Sequence, residues 1–146
     1  MSKIFFSIPG EPKGKGRPRF SRKGKFVKTY TPEETTNYED HVRNEYRKAA
    51  HGLIFTGEVH MNIDCYFSIP KSTSKKKTAL MVSGEIRPTK KPDADNVAKI
   101  VADALNNVAY KDDTQIVELN VRRWYTDGFA SVDVLLRGES SNEPQK

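Results

Sequence analysis

Four aspartates are the residues with which this chain could do chemistry: Asp93 and Asp95, then Asp112 and Asp113. The first pair sits in Lys90-Lys91-Pro92-Asp93-Ala94-Asp95-Asn96-Val97-Ala98-Lys99, and the second follows in Tyr110-Lys111-Asp112-Asp113 after an apolar-periodic stretch of helix length. Acidic residues placed before and after one helix can be gathered only at the start of the strand that follows it. Carboxylates packed closely repel one another unless a proton or a divalent cation intervenes. Hard oxygen ligands of this kind suit Mg²⁺ or Mn²⁺, and in a chain rich in Lys and Arg they suggest chemistry on a phosphodiester.

The same residues also have plainer uses. Asp95, Lys99 and Asp103 fall four apart, so a helix would carry them as one polar stripe with ordinary i,i+4 ion pairs. Asp93 or Asp95 could simply cap that helix, and Asp112-Asp113 could be no more than a turn between helix and strand. Lys99 has its own plain alternative, an ion pair with Asp95 or Asp103.

The elements that would position these groups can be read from periodicity. Val97, Ile100, Val101, Ala104, Leu105 and Val108 repeat at helical spacing and predict a helix from Asp95 or Asn96 to about Val108. An earlier helix should start at Thr31-Pro32-Glu33-Glu34, a capping box with Pro at the first helical position. Its inner face is Tyr38, Val42, Tyr46 and Ala49, and it should end before Gly52. Lys3 to Ile8 reads as a strand stopped by Pro9-Gly10. Residues 10–18, rich in Gly and Pro, resist regular structure, and Phe20 and Phe26-Val27 flank a possible hairpin turn at Lys23-Gly24. Glu58 to Ile69 alternates as a strand with Val59, Met61, Ile63, Cys65 and Phe67 on one face. A long basic loop follows, with room for one helical turn around Lys77 to Val82. Ile116 to Tyr125 and Phe129 to Arg137 alternate as two strands joined at Thr126-Asp127-Gly128, a hairpin turn signal. The expected fold is a single α+β domain over residues 1–137, with a mixed sheet of about four main strands, two principal helices and a C-terminal β-hairpin, followed by a disordered tail at 138–146.

Charge distribution points to an anionic partner. The chain has 146 residues, 30% of them charged, and a formal net charge of +6. Residues 11–28 and 71–91 carry +7 and +6, which leaves the rest of the chain at −7. Such segregation suits a surface that tracks phosphates, because each neutralised phosphate releases counterions. The candidate DNA contacts are Lys13, Lys15, Arg17 and Arg19 in the first segment, and Lys75, Lys76, Lys77, Lys90 and Lys91 in the second. Lys15-Gly16-Arg17-Pro18-Arg19 resembles a minor-groove Arg-Gly-Arg-Pro core, although an arm gripping backbone phosphates is the preferred reading. His41, His51 and His60 lack metal-ligand spacing. Cys65 stands alone, so no intrachain disulfide is possible. No stretch approaches the roughly twenty apolar residues of a spanning helix, which predicts a cytoplasmic protein with no membrane partner.

The run Pro92-Asp93-Ala94-Asp95-Asn96-Val97-Ala98-Lys99, continued by Val101-Ala102-Asp103-Ala104-Leu105-Asn106 and by Ala109-Tyr110-Lys111-Asp112-Asp113-Thr114-Gln115-Ile116, resembles the signature of the RusA-type Holliday junction resolvases. That resemblance implies a homodimeric, Mg²⁺-dependent crossover junction endodeoxyribonuclease acting in DNA recombination and repair. It would cut four-way junctions with paired nicks, with Mn²⁺ a possible substitute for Mg²⁺. Carried over by position, Asp93, Asp95 and Asp113 would be the metal ligands and Lys99 the catalytic or phosphate-binding lysine. Where some family members have Arg directly before the first Asp, this chain has Pro92. Two competing readings are a non-enzymatic basic DNA-binding module and an Asp-x-Asp nucleotide-sugar transferase. The second lacks the doubly wound domain it would need.

Overall fold

A computed structural model describes the backbone of residues 1–16, 19–23, 26–30 and 33–141, and the side chains of 1–16 and 33–141. Arg17, the turn at Gly24, Thr31-Pro32 of the expected capping box and residues 142–146 lie outside the described residues, as do the side chains of Arg19, Phe20 and Tyr30.

The chain runs β1 (Ser2–Pro9), β2 (Arg19–Lys23), β3 (Phe26–Tyr30), α1 (Glu33–Ala50), β4 (Phe55–Ser68), α2 (Lys75–Val82), α3 (Ala94–Ala104), a 3-10 turn (Asp113–Gln115), β5 (Ile116–Thr126) and β6 (Ser131–Ser140). Strands β1-β6-β4-β5 form one mixed sheet in that order, and β2 and β3 form a separate antiparallel ribbon. The architecture is α+β, as the alternation of apolar patterns predicts.

β4 is the central strand, paired antiparallel to β6 and parallel to β5. Its period-2 pattern drives all of Val59, Met61, Ile63, Cys65 and Phe67 to one face, where each is buried. Burying one such side chain is worth roughly 1.5–3 kcal/mol. Helices α1 and α3 cover that face, α1 through Tyr38, Val42, Tyr46 and Ala50, and α3 through Val97, Ile100, Val101 and Ala104, with Leu105 just past its end. Burial pushes the Cys65 thiol up to about 12, consistent with a small apolar core residue.

Three boundaries differ from the sequence reading. α3 stops at Ala104, not near Val108, because Asn107 adopts a left-handed φ of 63° and its N–H turns to the Tyr110 carbonyl. β6 continues to Ser140, so residues 138–140 belong to the sheet, with Gly138 packed so tightly on Glu58 that a Cβ would lie 2.5 Å from its carbonyl oxygen. The turn at Thr126-Asp127-Gly128 does carry β5 to β6, but the two are not hydrogen-bonded neighbours: β4 lies between them. Local turn chemistry specifies a reversal, not the pairing partner, and the all-apolar inner face of β4 takes the central place. That choice leaves β5 on the edge.

Candidate active site

The acidic residues are mounted on α3 and on the turn that follows it. Asp93 occupies the N-cap position of α3, yet its side chain does not cap the helix. It accepts a hydrogen bond from Asn96 Nδ2 at 2.8 Å and is exposed. Asp95, in the first turn, comes within hydrogen-bonding reach of it. That contact lowers the Asp93 carboxyl and raises that of Asp95, as expected for two acids sharing one proton.

At the other end of α3, Asp113 is half-buried and comes within hydrogen-bonding reach of Asp103. Burial first, then the charges of Asp112 and Asp103, hold its carboxyl above the usual range. Asp112 is committed elsewhere. Its carboxylate accepts from the Thr114 N–H at 3.1 Å, and the Thr114 side chain first, then that N–H, keep it below the usual range. Gln115 closes the same turn, accepting from the Lys111 and Asp112 N–H groups and donating to the Phe55 and Gly57 carbonyls at 3.1 and 3.0 Å. This capping box fastens the second aspartate pair to β4 and turns Asp113 toward α3.

The structure therefore brings Asp93 to Asp95 and Asp113 to Asp103. Asp95 and Asp103 are two helical turns apart on one face, about 12 Å of rise. Among the described residues no three His, Cys, Asp or Glu side chains converge on one point as they stand. Lys99 lies between the two pairs on that face. It is exposed and forms no ion pair with Asp95 or Asp103, because Asp103 is engaged by Lys15.

A cleft of 830 Å³ opens beside Asp93, lined among others by Lys13, Lys15, Lys91 and Asn96. The basic arm and Asp93 thus meet in one groove. Gly14 makes this possible: a Cβ there would lie 2.9 Å from Pro92 Cβ and 3.0 Å from Asn96 Cβ, so only glycine lets the arm lie against α3. The expected DNA contacts separate by environment. Lys13, Lys75, Lys76, Lys77, Lys90 and Lys91 are exposed. Lys90 also lies 5.7 Å above the Phe67 ring and 5.9 Å from that of Tyr125. Lys15 is turned inward onto Glu39 and Asp103, at 2.8 and 3.4 Å.

Arg123 is a residue that the motif reading missed. From β5 it donates to the Lys90 and Pro92 carbonyls, the latter at 2.8 Å, and its charge helps lower the Asp93 carboxyl. The signal was present. Arg123 shares its strand face with Leu119, Val121 and Tyr125 and pairs with buried Cys65, so it is a charge in an apolar register. Trp124 points to the opposite face, stacked under the Arg87 guanidinium at 3.6 Å with its Nε1–H bonded to Asp64.

A family model described as Endodeoxyribonuclease RusA matches residues 9–137. The chain is also 38% identical over 143 residues to the uncharacterized protein YqaN of Bacillus subtilis (strain 168), an alignment that covers 97% of this chain and all of that protein. No described helix is long and apolar enough to cross a membrane.

Proposed function

The chain belongs to the RusA endodeoxyribonuclease family, and from that premise we propose that it is a divalent-metal-dependent nuclease that resolves four-way DNA junctions in recombination and repair. The observation that carries this reading is the groove in which exposed Asp93 and half-buried Asn96 face Lys13 and Lys91. Hydrolysis of a phosphodiester calls for cations along the flanking phosphates and carboxylates that can hold a metal at the reacting one, and this groove sets Asp93 beside Lys13 and Lys91.

The donor set fits Mg²⁺, with Mn²⁺ as a substitute. It offers only hard oxygens, and each aspartate pair carries a repulsion that a cation relieves. We assign Asp93, Asp95 and Asp113 as the ligands; since they do not converge as they stand, one ion held by all three would have to draw the two ends of the site together. A bound ion would lower the pKa of a water and neutralise charge developing on the phosphate. The protein's own groups do the rest. Asn96 fixes the rotamer of Asp93, Arg123 pins the Lys90–Pro92 turn, and Lys99 reaches a non-bridging oxygen or the leaving group. Lys13 and Lys91 hold the flanking phosphates.

The active unit in this reading is a homodimer, since a junction has two-fold symmetry and two strands must be cut. β5 supports it: an eleven-residue edge strand with Val117 and Leu119 54% and 44% exposed. Antiparallel self-pairing about Asn120 would set Glu118 opposite the partner copy's Arg122 and cover both apolar side chains. Cleavage of a labelled four-way junction and a duplex control, with and without Mg²⁺, tests the whole proposal, with solution mass measured in parallel. Binding without cleavage under every metal condition would leave only a DNA-binding module, and a monomeric mass would remove the dimer.

The exposed lysines of α2 make a separate prediction. Lys75, Lys76 and Lys77 occupy the first turn of a helix whose N-cap is Ser74, where cations oppose the helix dipole. Their placement against local preference suits an external anion. Replacing all three with Ala should weaken binding to every junction sequence alike and flatten log K against log salt by about 0.9 per lost phosphate contact. A parent-like salt slope would place the DNA elsewhere.

A further inference from the structure

Lys15 lies in the basic arm, yet its surroundings are those of an internal group. Its ammonium stands 2.8 Å from Glu39 Oε2 on α1 and 3.4 Å from Asp103 Oδ2 on α3, and the three side chains are only 23%, 13% and 28% exposed. The backbone holds it there from both sides. Lys15 N–H donates to the Asn96 carbonyl at 3.2 Å, and Gly16 N–H donates to the buried Thr35 hydroxyl at 3.0 Å. Gly14 is pressed against Pro92 and Asn96 with no room for a side chain. The arm is thus strapped to α1 and α3 at successive residues, and the lysine closes the strap.

We propose that Lys15 is a positioning residue of the acidic site and not a contact to DNA: it clamps Asp103 to Glu39 and so fixes the Asp113 carboxylate that rests on Asp103. The inference rests on the nuclease reading above and deepens it. Without the ammonium, Glu39 would lose the cation it shares with Asp103, and Asp103 would be free to turn along α3 toward Lys99, four residues earlier, and release Asp113. With it, Asp103 is drawn toward α1, which leaves Asp113 as the free ligand of its pair. A phosphate, by contrast, would gain little from an ammonium already held by two carboxylates and largely covered.

The test uses the full chain with Lys15→Met, Lys15→Arg and Glu39→Gln. Junction affinity and its salt slope are measured without metal, Mn²⁺ binding to the DNA-free protein by water proton relaxation, and cleavage in single turnover. Lys15→Met should keep parent affinity and salt slope, lose about ten- to hundredfold in Mn²⁺ affinity and cleavage rate, and be partly rescued in Lys15→Arg. Glu39→Gln should move the same two quantities in the same direction, and the double variant should be no worse than Lys15→Met alone, because both act through one contact. If Lys15→Met does not fold, Glu39→Gln and Lys15→Arg carry the same comparison. Loss of junction affinity with a reduced salt slope and an intact single-turnover rate would overturn the proposal in favour of a phosphate contact. Parent-like Mn²⁺ binding in every folded variant would overturn it as well. A parent protein that cuts no junction would count against the nuclease reading itself, whatever the variants do.

Discussion

Asp93→Asn, Asp95→Asn and Asp113→Asn are each expected to bring junction cleavage to background while junction binding stays intact or tightens. Each substitution exchanges an anionic oxygen ligand for an amide of nearly the same shape, so packing is preserved and only charge and donor character change. Altering groups that merely support a metal ligand costs about 10- to 100-fold, so replacing a ligand should cost more. Binding should not suffer, because removing negative charge from a phosphate-facing groove can only strengthen attraction to DNA. Asp112→Asn is the internal control. Its carboxylate serves the Thr114 N–H, a role that asparagine fills equally well at an N-cap, so cleavage should remain close to the parent's. Full cleavage by the Asp113 variant together with an inactive Asp112→Asn would reverse the choice within that pair.

The legibility of that pair in the sequence was uneven, for physical reasons. Helical and strand periods report which face of an element is buried, and so the inner faces of α1, α3 and β4 could be read directly. The aspartates stood out because like charges at that spacing need a reason. Periodicity carries no information about which strands pair. β5 and β6 read as a hairpin, although β4 separates them. Nor does a basic composition distinguish a solvated lysine from a clamped one. Lys13 and Lys15 look alike as residues, and only the crossing of the arm over α3 makes one exposed and the other the partner of Glu39 and Asp103. The pairing of Asp113 with Asp103 was hidden for a related reason. Asp103 sits on the same helical stripe as Asp95 and Lys99, where an i,i+4 pair with Lys99 was the simplest expectation, and a lysine 88 positions earlier took that partner away.

Lys99 gains significance from that exchange. Were it paired with Asp95 or Asp103, its removal would cost no more than an exposed helical ion pair, which contributes little to stability and nothing to chemistry. The structure leaves it exposed between the two aspartate pairs, with Asp103 held by Lys15 and Asp95 facing Asp93. An unpaired ammonium flanked by carboxylates that would hold a metal is placed to act on the phosphate itself. Lys99→Ala should therefore slow single-turnover cleavage on the order of a hundredfold, comparable to deleting one donor that acts in the transition state. Junction affinity and the Mg²⁺ concentration for half-maximal rate should stay near the parent's, since the lysine touches none of the three assigned ligands. Lys99→Arg should recover only part of the rate, because a planar guanidinium carries the charge but presents it with different geometry from the compact ammonium. Two measurements decide the matter: cleavage under saturating protein and an Mg²⁺ titration of the same variant. A rate equal to the parent's would return Lys99 to the solvated face of α3. A shifted Mg²⁺ midpoint with a normal limiting rate would show that it acts on the metal site's charge and not on the reacting phosphate.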